Sequence, residues 1–276
     1  MRVPAVAAWR SLLCATVLIA PTAGAAASGA ASASASASAA TSVIQGADIS
    51  WPNCPKGEGI PSRRSPGEPL PLPSAQFVVI GLTNGPGFYP NPCLSSQLGW
   101  ARRHHELIAA YALTTYPTRS EIAEYGATGP YRSALKNTAY AEAQYNLSTA
   151  STVGLTVPMI WVDVEPYPVA PWSHNLSRNR QVVDAVVKAY QSAGYQVGIY
   201  TNPNGWPEVV GNGQLPALPS WSTIGAGRLP AAHRQCSRGP SGGADWMVQW
   251  WIGPRDHDVL CPAGRRHLSN IFAATS

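Results

Sequence analysis

Charge is what this sequence has least of. Asp, Glu, Lys and Arg make up only 12% of its 276 residues, about half the share usual in soluble domains. That scarcity excludes a coiled coil, which needs Glu/Lys/Leu heptads, and a chain held open by its own charge. There is no basic block, and the net charge of +5 falls to +3 without Arg2 and Arg10. So mild and scattered a balance gives no footprint for nucleic acid. Neither GxGxxG nor a Walker A motif occurs, so no dinucleotide or nucleotide phosphate cradle is expected. HExxH, CxxC and His-spaced zinc patterns are missing too. Ser241 lies in Gly239-Pro240-Ser241-Gly242-Gly243, which is not the GxSxG of a serine hydrolase. No cofactor and no bound metal are expected. Oxygen ligation of Ca²⁺ or Mg²⁺ by Asp163, Glu165 and Asp256 is a minor alternative.

Phenylalanine is scarce, at 3 residues, but there are 10 Trp and 11 Tyr. Aromatics with one polar end suit sugar-binding clefts as well as cores. Residues 1–25 read as a secretory leader: Arg2 and Arg10 flank its start, Ser11–Pro21 is a short apolar run, and Ala23-Gly24-Ala25 is a small-residue cleavage site. The run is too short to span a bilayer, and no run of about 18 apolar residues exists, so no transmembrane helix is expected. Residues 26–42 are an Ala/Ser tract without a large apolar side chain, read as a flexible spacer. A single domain is expected over 43–276. Four of the five cysteines, Cys54, Cys93, Cys236 and Cys261, lie beyond the leader. An even count in an exported chain points to disulfides. Three pairings are open, and the sequence-local one, Cys54–Cys93 with Cys236–Cys261, is the expectation.

Within the domain, strand-like and helix-like segments alternate. Val43–Ile49, Phe77–Leu82, Leu107–Thr115, Val157–Val164, Gln196–Tyr200 and Asp245–Ile252 read as strands. Ser95–Glu106, Tyr131–Thr149 and Ser177–Ala193 read as helices, the last with Ser177 as N-cap, a Val182/Val183/Val186/Val187 face and Gly194 as its stop. Lys56–Pro73 reads as a loop. Alternation of this kind predicts parallel βαβ units, arranged either as a barrel or as a doubly wound sheet.

The strongest constellation is Trp161-Val162-Asp163-Val164-Glu165-Pro166, at the end of the best strand. Residues two apart on a strand share a face at about 7 Å, so Asp163 and Glu165 project together while Val162 and Val164 pack the other way. Each carboxylate disfavours ionisation of the other, so one can stay protonated near neutrality and serve as a general acid. Paired acids at a strand end suit acid/base chemistry on a glycosidic bond. The competing reading is a solvated turn or an ion-paired acid. Asp48, ending the first strand, and Asp256, following the Trp-rich strand, give two more acids at strand ends. In a barrel such ends converge on one face. His104-His105 reads as a solvated helix face, and His257 sits beside Asp256 within reach of the cleft.

Asp48-Ile49-Ser50, the WVDVE segment, Gly198–Asn202 (GIYTN) and Gln249-Trp250 with Asp256 together resemble glycoside hydrolase family 25, the lysozyme-type muramidases. The DISWPNC segment (Asp48–Cys54), Asn91–Ala101 and Asp256–Cys261 are similar to a secreted bacterial subgroup. The resemblance spans Val43 to Cys261. It implies a single modified TIM-type (β/α) barrel with parallel strands, in an α/β fold carrying two disulfides. It implies Glu165 as the catalytic acid, Asp163 as the assisting carboxylate, Asp48 and Asp256 as further acids of the site, and Tyr200 and Gln249 in the cleft lining. Trp51, Tyr111, Trp161 and Trp250 are the aromatic candidates for the sugar. Two positions depart from the family pattern: Asn53 stands near the place of a Gln, and Ala112 follows Tyr111 where a His is usual. The expectation is a secreted, monomeric hydrolase of peptidoglycan or a related N-acetylhexosamine polymer. The alternatives are a non-catalytic barrel that binds wall glycan and a barrel serving another hydrolysis.

Overall fold

Alternation along each strand decides which side chains fill the barrel and which meet the helices. In the computed structural model, which describes residues 43–212, 218–236 and 239–275, the elements follow in order. β1 (Gln45–Ile49) leads through a short hairpin, β2 (Gly59–Ile60) and β3 (Arg63–Arg64), to β4 (Phe77–Gly81), α1 (Leu94–Arg103) and β5 (Leu107–Leu113). Next come α2 (Arg119–Tyr125), α3 (Ala134–Thr152), β6 (Met159–Asp163), α4 (Leu176–Ser192), β7 (Gln196–Thr201) and α5 (Gly205–Val210). The chain closes with β8 (Ser220–Ala226), α6 (Leu229–Gln235), β9 (Asp245–Ile252), β10 (Arg255–Leu260), α7 (Pro262–Arg265) and α8 (Leu268–Ile271). The leader and spacer read over 1–25 and 26–42 lie outside the described residues.

The strands form a closed barrel in the order β1-β10-β9-β8-β7-β6-β5-β4, shut by parallel pairing of β1 with β4. Phe77, Val79, Ala109, Met159, Trp161, Tyr200, Trp221 and Met247 fill the interior. Their neighbours Val78, Ile80, Ile108, Ala110, Ile160, Val162, Val197 and Ile199 face out. There they bury the valine stripe of α4, with Val182, Val183 and Val186 wholly enclosed. Gly198 is required beneath this packing, because a Cβ there would overlap the Trp161 ring.

The modified barrel with parallel strands is formed, and one strand departs from the parallel order. β10 runs antiparallel to both β9 and β1. Only Gly253 and Pro254 separate β9 from β10, with Gly253 at φ +60. A connection that short can only reverse the chain, whereas a parallel return needs a crossover of a dozen or more residues. The N-cap of α4 is corrected: the Asn175 side chain accepts from the Arg178 backbone N–H at 3.1 Å, two residues before Ser177. The segment 56–73 is more ordered than a plain loop, since it holds the β2–β3 hairpin. His104 caps α1 and His105 takes φ +57 just past its end, so the pair closes the helix instead of lying along it.

Both sequence-local disulfides are formed, Cys54–Cys93 across 39 residues and Cys236–Cys261 across 25. Constraining a loop of the second size stabilises by about 3 kcal/mol in the chain-entropy account. The double variant Cys236→Ser/Cys261→Ser should therefore melt roughly 6–12 °C lower. Calorimetry showing an unchanged Tm would contradict a stabilising role for this bridge.

Candidate functional site

The parallel strands deliver their carboxyl ends to one mouth, and the residues there enclose a cleft of about 260 Å³. Asp48 comes from β1, Tyr111 from β5, Asp163 from the last position of β6, and Glu165 from two residues beyond it. Tyr200 comes from β7 and Gln249 from β9. Asp256 arrives by a different route. It is the second residue of β10, opposite Trp251, and the start of an antiparallel strand lies at the face where the parallel strands end. Trp51, in the short turn after β1, completes the rim.

Of the aromatic candidates, Trp51, Tyr111 and Tyr200 line this cleft; Trp161 and Trp250 do not. Trp161 is wholly buried in the barrel interior, its ring edge-on to Trp221 at 5.9 Å. Two residues before Asp163 on the same face, it packs one layer deeper. Trp250 faces outward, with Ala232, Val248 and Val259, and stacks on His257 at 5.4 Å. Alternation explains this: Gln249 and Trp251 share the inner side and Trp250 takes the other. Trp251, 42% exposed, is the cleft aromatic of β9. His257, one place from Asp256, is likewise turned away.

A hydrogen-bond chain fixes the acids at the floor. The Tyr200 hydroxyl donates to Gln249 Oε1 at 2.8 Å, and Gln249 Nε2 donates to Asp48 Oδ1 at 2.8 Å. Asp258, whose charge acts on Asp48, accepts from Trp221 Nε1 at 2.7 Å. Two carboxyl groups buried near each other disfavour ionising together. Burial, then the Asp258 charge, pushes the Asp48 carboxyl well up, against the opposing Gln249 donation. Burial also raises Asp258 well above the usual carboxylate range. Asp258 falls two residues after Asp256, so the same alternation marks it in the sequence.

The upper acids are raised as well. Burial, with Glu165 and then Asp48 beside it, lifts Asp163 well above its ordinary value. Its Oδ1 is buried without a hydrogen-bond partner among the described residues. Glu165 is pushed up to about 7 by burial, with the Arg63 guanidinium pulling the other way. Asp256 rises to about 8, through burial and then the charges of Asp48, Glu68 and Glu165. Arg63, Trp221 and Trp251 also line the cleft. The position of Arg63 has no local signal, since it comes from a loop hairpin and not from a barrel strand. Among the described residues, one group of ligating atoms lies close enough to share an ion: Cys54, Glu58 and Cys93. Its two cysteines are joined in the disulfide.

With this geometry the comparisons can be placed. A family model described as "Lysozyme-like protein 1" matches residues 128–229. "Probable GH family 25 lysozyme 3" of Dictyostelium discoideum is 35% identical over 69 residues, 25% of this chain and 14% of that protein. "Lysozyme-like protein 2" of Caenorhabditis elegans is 30% identical over 78 residues, 27% of each chain. The chain spans less than a third of the length of the curated relatives it matches. A family GH25 lysozyme from Aspergillus fumigatus superposes with TM-score 0.54 at 19% identity, covering 83% of this chain and 99% of its own. At that identity the likeness is one of fold. The bacterial lysozyme from Streptomyces coelicolor has the same fold, with TM-score 0.52 and 19% identity over 83% of this chain and 98% of its own. The closed barrel, its antiparallel strand β10 included, is the scaffold on which the acid cleft is built.

The raised acids make stability depend on pH in a definite direction. A carboxyl whose folded pKa exceeds its unfolded one favours the fold while protonated. That contribution is full below about pH 4, the unfolded value, and is lost as pH rises through about 7 for Glu165 and about 8 for Asp256. Asp256→Asn should therefore gain stability over the parent at pH 9 and little at pH 4, the difference being on the order of a few kcal/mol. Denaturant melts at the two pH values check this. An equal effect at both would mean that Asp256 ionises freely.

Proposed function

We propose that the protein is a secreted glycoside hydrolase of peptidoglycan or a related N-acetylhexosamine polymer. One observation carries the reading: Glu165 stands in the cleft beside Asp163 with its carboxyl raised to about 7. A general acid is effective when its pKa lies near the working pH. Glu165 protonates the glycosidic oxygen as the bond to the leaving sugar breaks. Asp163 stabilises the positive charge that develops at the ring, or orients the substrate's own acetamide as nucleophile. Its buried Oδ1, without a hydrogen-bond partner among the described residues, supports either role. The two carboxyls titrate as a pair, so the loss of one proton leaves an ionised member and a donor side by side. Asp48, oriented by Gln249, and Asp256 complete the acidic lining, and Trp51 and Trp251 offer apolar faces to sugar rings. Export is supported by the two disulfides, which persist in oxidising compartments. No helix among the described residues is long and apolar enough to cross a membrane.

Purified cell walls provide the test, with turbidity and new reducing ends as readouts. Glu165→Gln keeps the shape and removes the proton donor, and should lower cleavage by roughly 10²–10⁴-fold with no loss of Tm. Equal cleavage by the variant would overturn the assignment of the acid. Tight binding without cleavage by the parent protein would make the barrel a wall-glycan binder instead. Because the acid must be protonated to act, kcat/KM should fall as pH rises through about 7. A profile flat from pH 5 to 9 would remove Glu165 from that role.

A further inference from the structure

One wall of the cleft is supplied by no barrel strand. The β2–β3 hairpin lies inside the segment closed by Cys54–Cys93 and is pinned on two sides. Asn84 Oδ1 accepts from the Ile60 backbone N–H at 2.7 Å, and Asn84 Nδ2 donates to the Arg63 carbonyl at 3.2 Å. Ser65 Oγ bonds the Cys54 carbonyl at 2.6 Å beside the disulfide. So held, the hairpin turns Arg63 into the cleft. The side chain crosses Gly85, at φ +85, where any Cβ would overlap the arginine stem. Beyond Gly85, Arg63 Nη2 donates to the Val169 carbonyl at 2.7 Å. Val169 lies four residues after Glu165, in the connection from β6 to α4. The arginine thus ties the loop between β1 and β4 to the loop that carries Glu165.

We propose that Arg63 is a positioning residue, a strap that fixes the Glu165 loop and supplies the positive charge against which Glu165 ionises. Among the described residues lining the cleft it is the one cation, facing Asp48 of β1, Asp163 of β6 and Asp256 of β10. Tyr111 of β5 and Tyr200 of β7, both held neutral, complete the titratable groups around Glu165. None of these groups carries a positive charge, so Arg63 is the side chain in this lining whose charge offsets burial at Glu165. Without it the acid would hold its proton too firmly to release it during turnover, and its loop would lose the tie to the hairpin. The strap also walls the cleft on the side of β4 and β5. This inference rests on the reading of Glu165 as proton donor.

The test follows Glu165 directly in the full protein. With ¹³C-carboxyl-labelled glutamate, its signal is identified by its loss in Glu165→Gln, and its titration midpoint is measured in the parent and three variants. Arg63→Met and Arg63→Gln should raise the midpoint by about half a pH unit or more. Arg63→Lys, which keeps the charge, should move it less than half as far. In wall-cleavage assays the alkaline limb should shift upward with the midpoint in the neutral variants, and kcat should fall more than KM changes. A midpoint unmoved in both folded neutral variants would overturn the proposal. A midpoint that moves as expected in a protein that cleaves no wall glycan would sustain the role of Arg63 and reject the hydrolase reading.

Discussion

Several carboxyl groups share the mouth of one barrel with too little water to ionise them all. This constraint organises the rest of the site. Asp48 and Asp258 lie buried at the floor, Asp163 keeps a buried oxygen without a partner among the described residues, and Glu165 and Asp256 are raised to about 7 and about 8. Burial is the largest cause in every case, ahead of any single neighbouring charge. The barrel interior of Trp161, Trp221, Tyr200 and Met247 excludes solvent from below, and only the cleft side of Glu165 and Asp256 opens to it. Gln249 is the hinge of the arrangement: by accepting from Tyr200 and donating to Asp48 it has one orientation, and that orientation fixes Asp48.

How far the sequence discloses this depends on whether a feature obeys a local period. Met159 to Asp163 was legible because β-branched and apolar residues alternate faces there, and the same period put Asp163 with Glu165 and Val162 with Val164 on opposite sides. β9 is legible over its whole length, and period two from Gln249 gives the cleft side to Gln249 and Trp251, leaving Trp250 on the outer face. Trp161 has the expected direction but sits deeper than the cleft, since a strand pattern does not say how far down the barrel a side chain lies. Asp258 was written in the sequence two residues from Asp256, but an acid buried at a barrel floor looks like any loop aspartate until closure brings β1 beside β10.

Other features have no local pattern at all. Arg63 sits in a Pro/Gly/Arg-rich stretch whose composition reads as loop, and its place in the cleft depends on Cys93 and Asn84, which lie far along the chain. The reversal of β10 could be read only from the brevity of Gly253-Pro254, a two-residue link that no βα unit can use. That reversal matters for chemistry. It brings the start of β10, and so Asp256, to the face where β6 ends at Asp163 and Glu165 follows. A parallel β10 would have carried Asp256 to the opposite end of the barrel.

The central claim is that these acids break a glycosidic bond, and the fate of water oxygen tests it most directly. Purified cell walls incubated with the protein in H₂¹⁸O should release fragments carrying ¹⁸O at the reducing-end sugar and nowhere else, as mass spectrometry of the separated products would show. Label in a peptide carboxyl group, or fragments released without label, would contradict the account, because the water would then have been added to a different bond or to none.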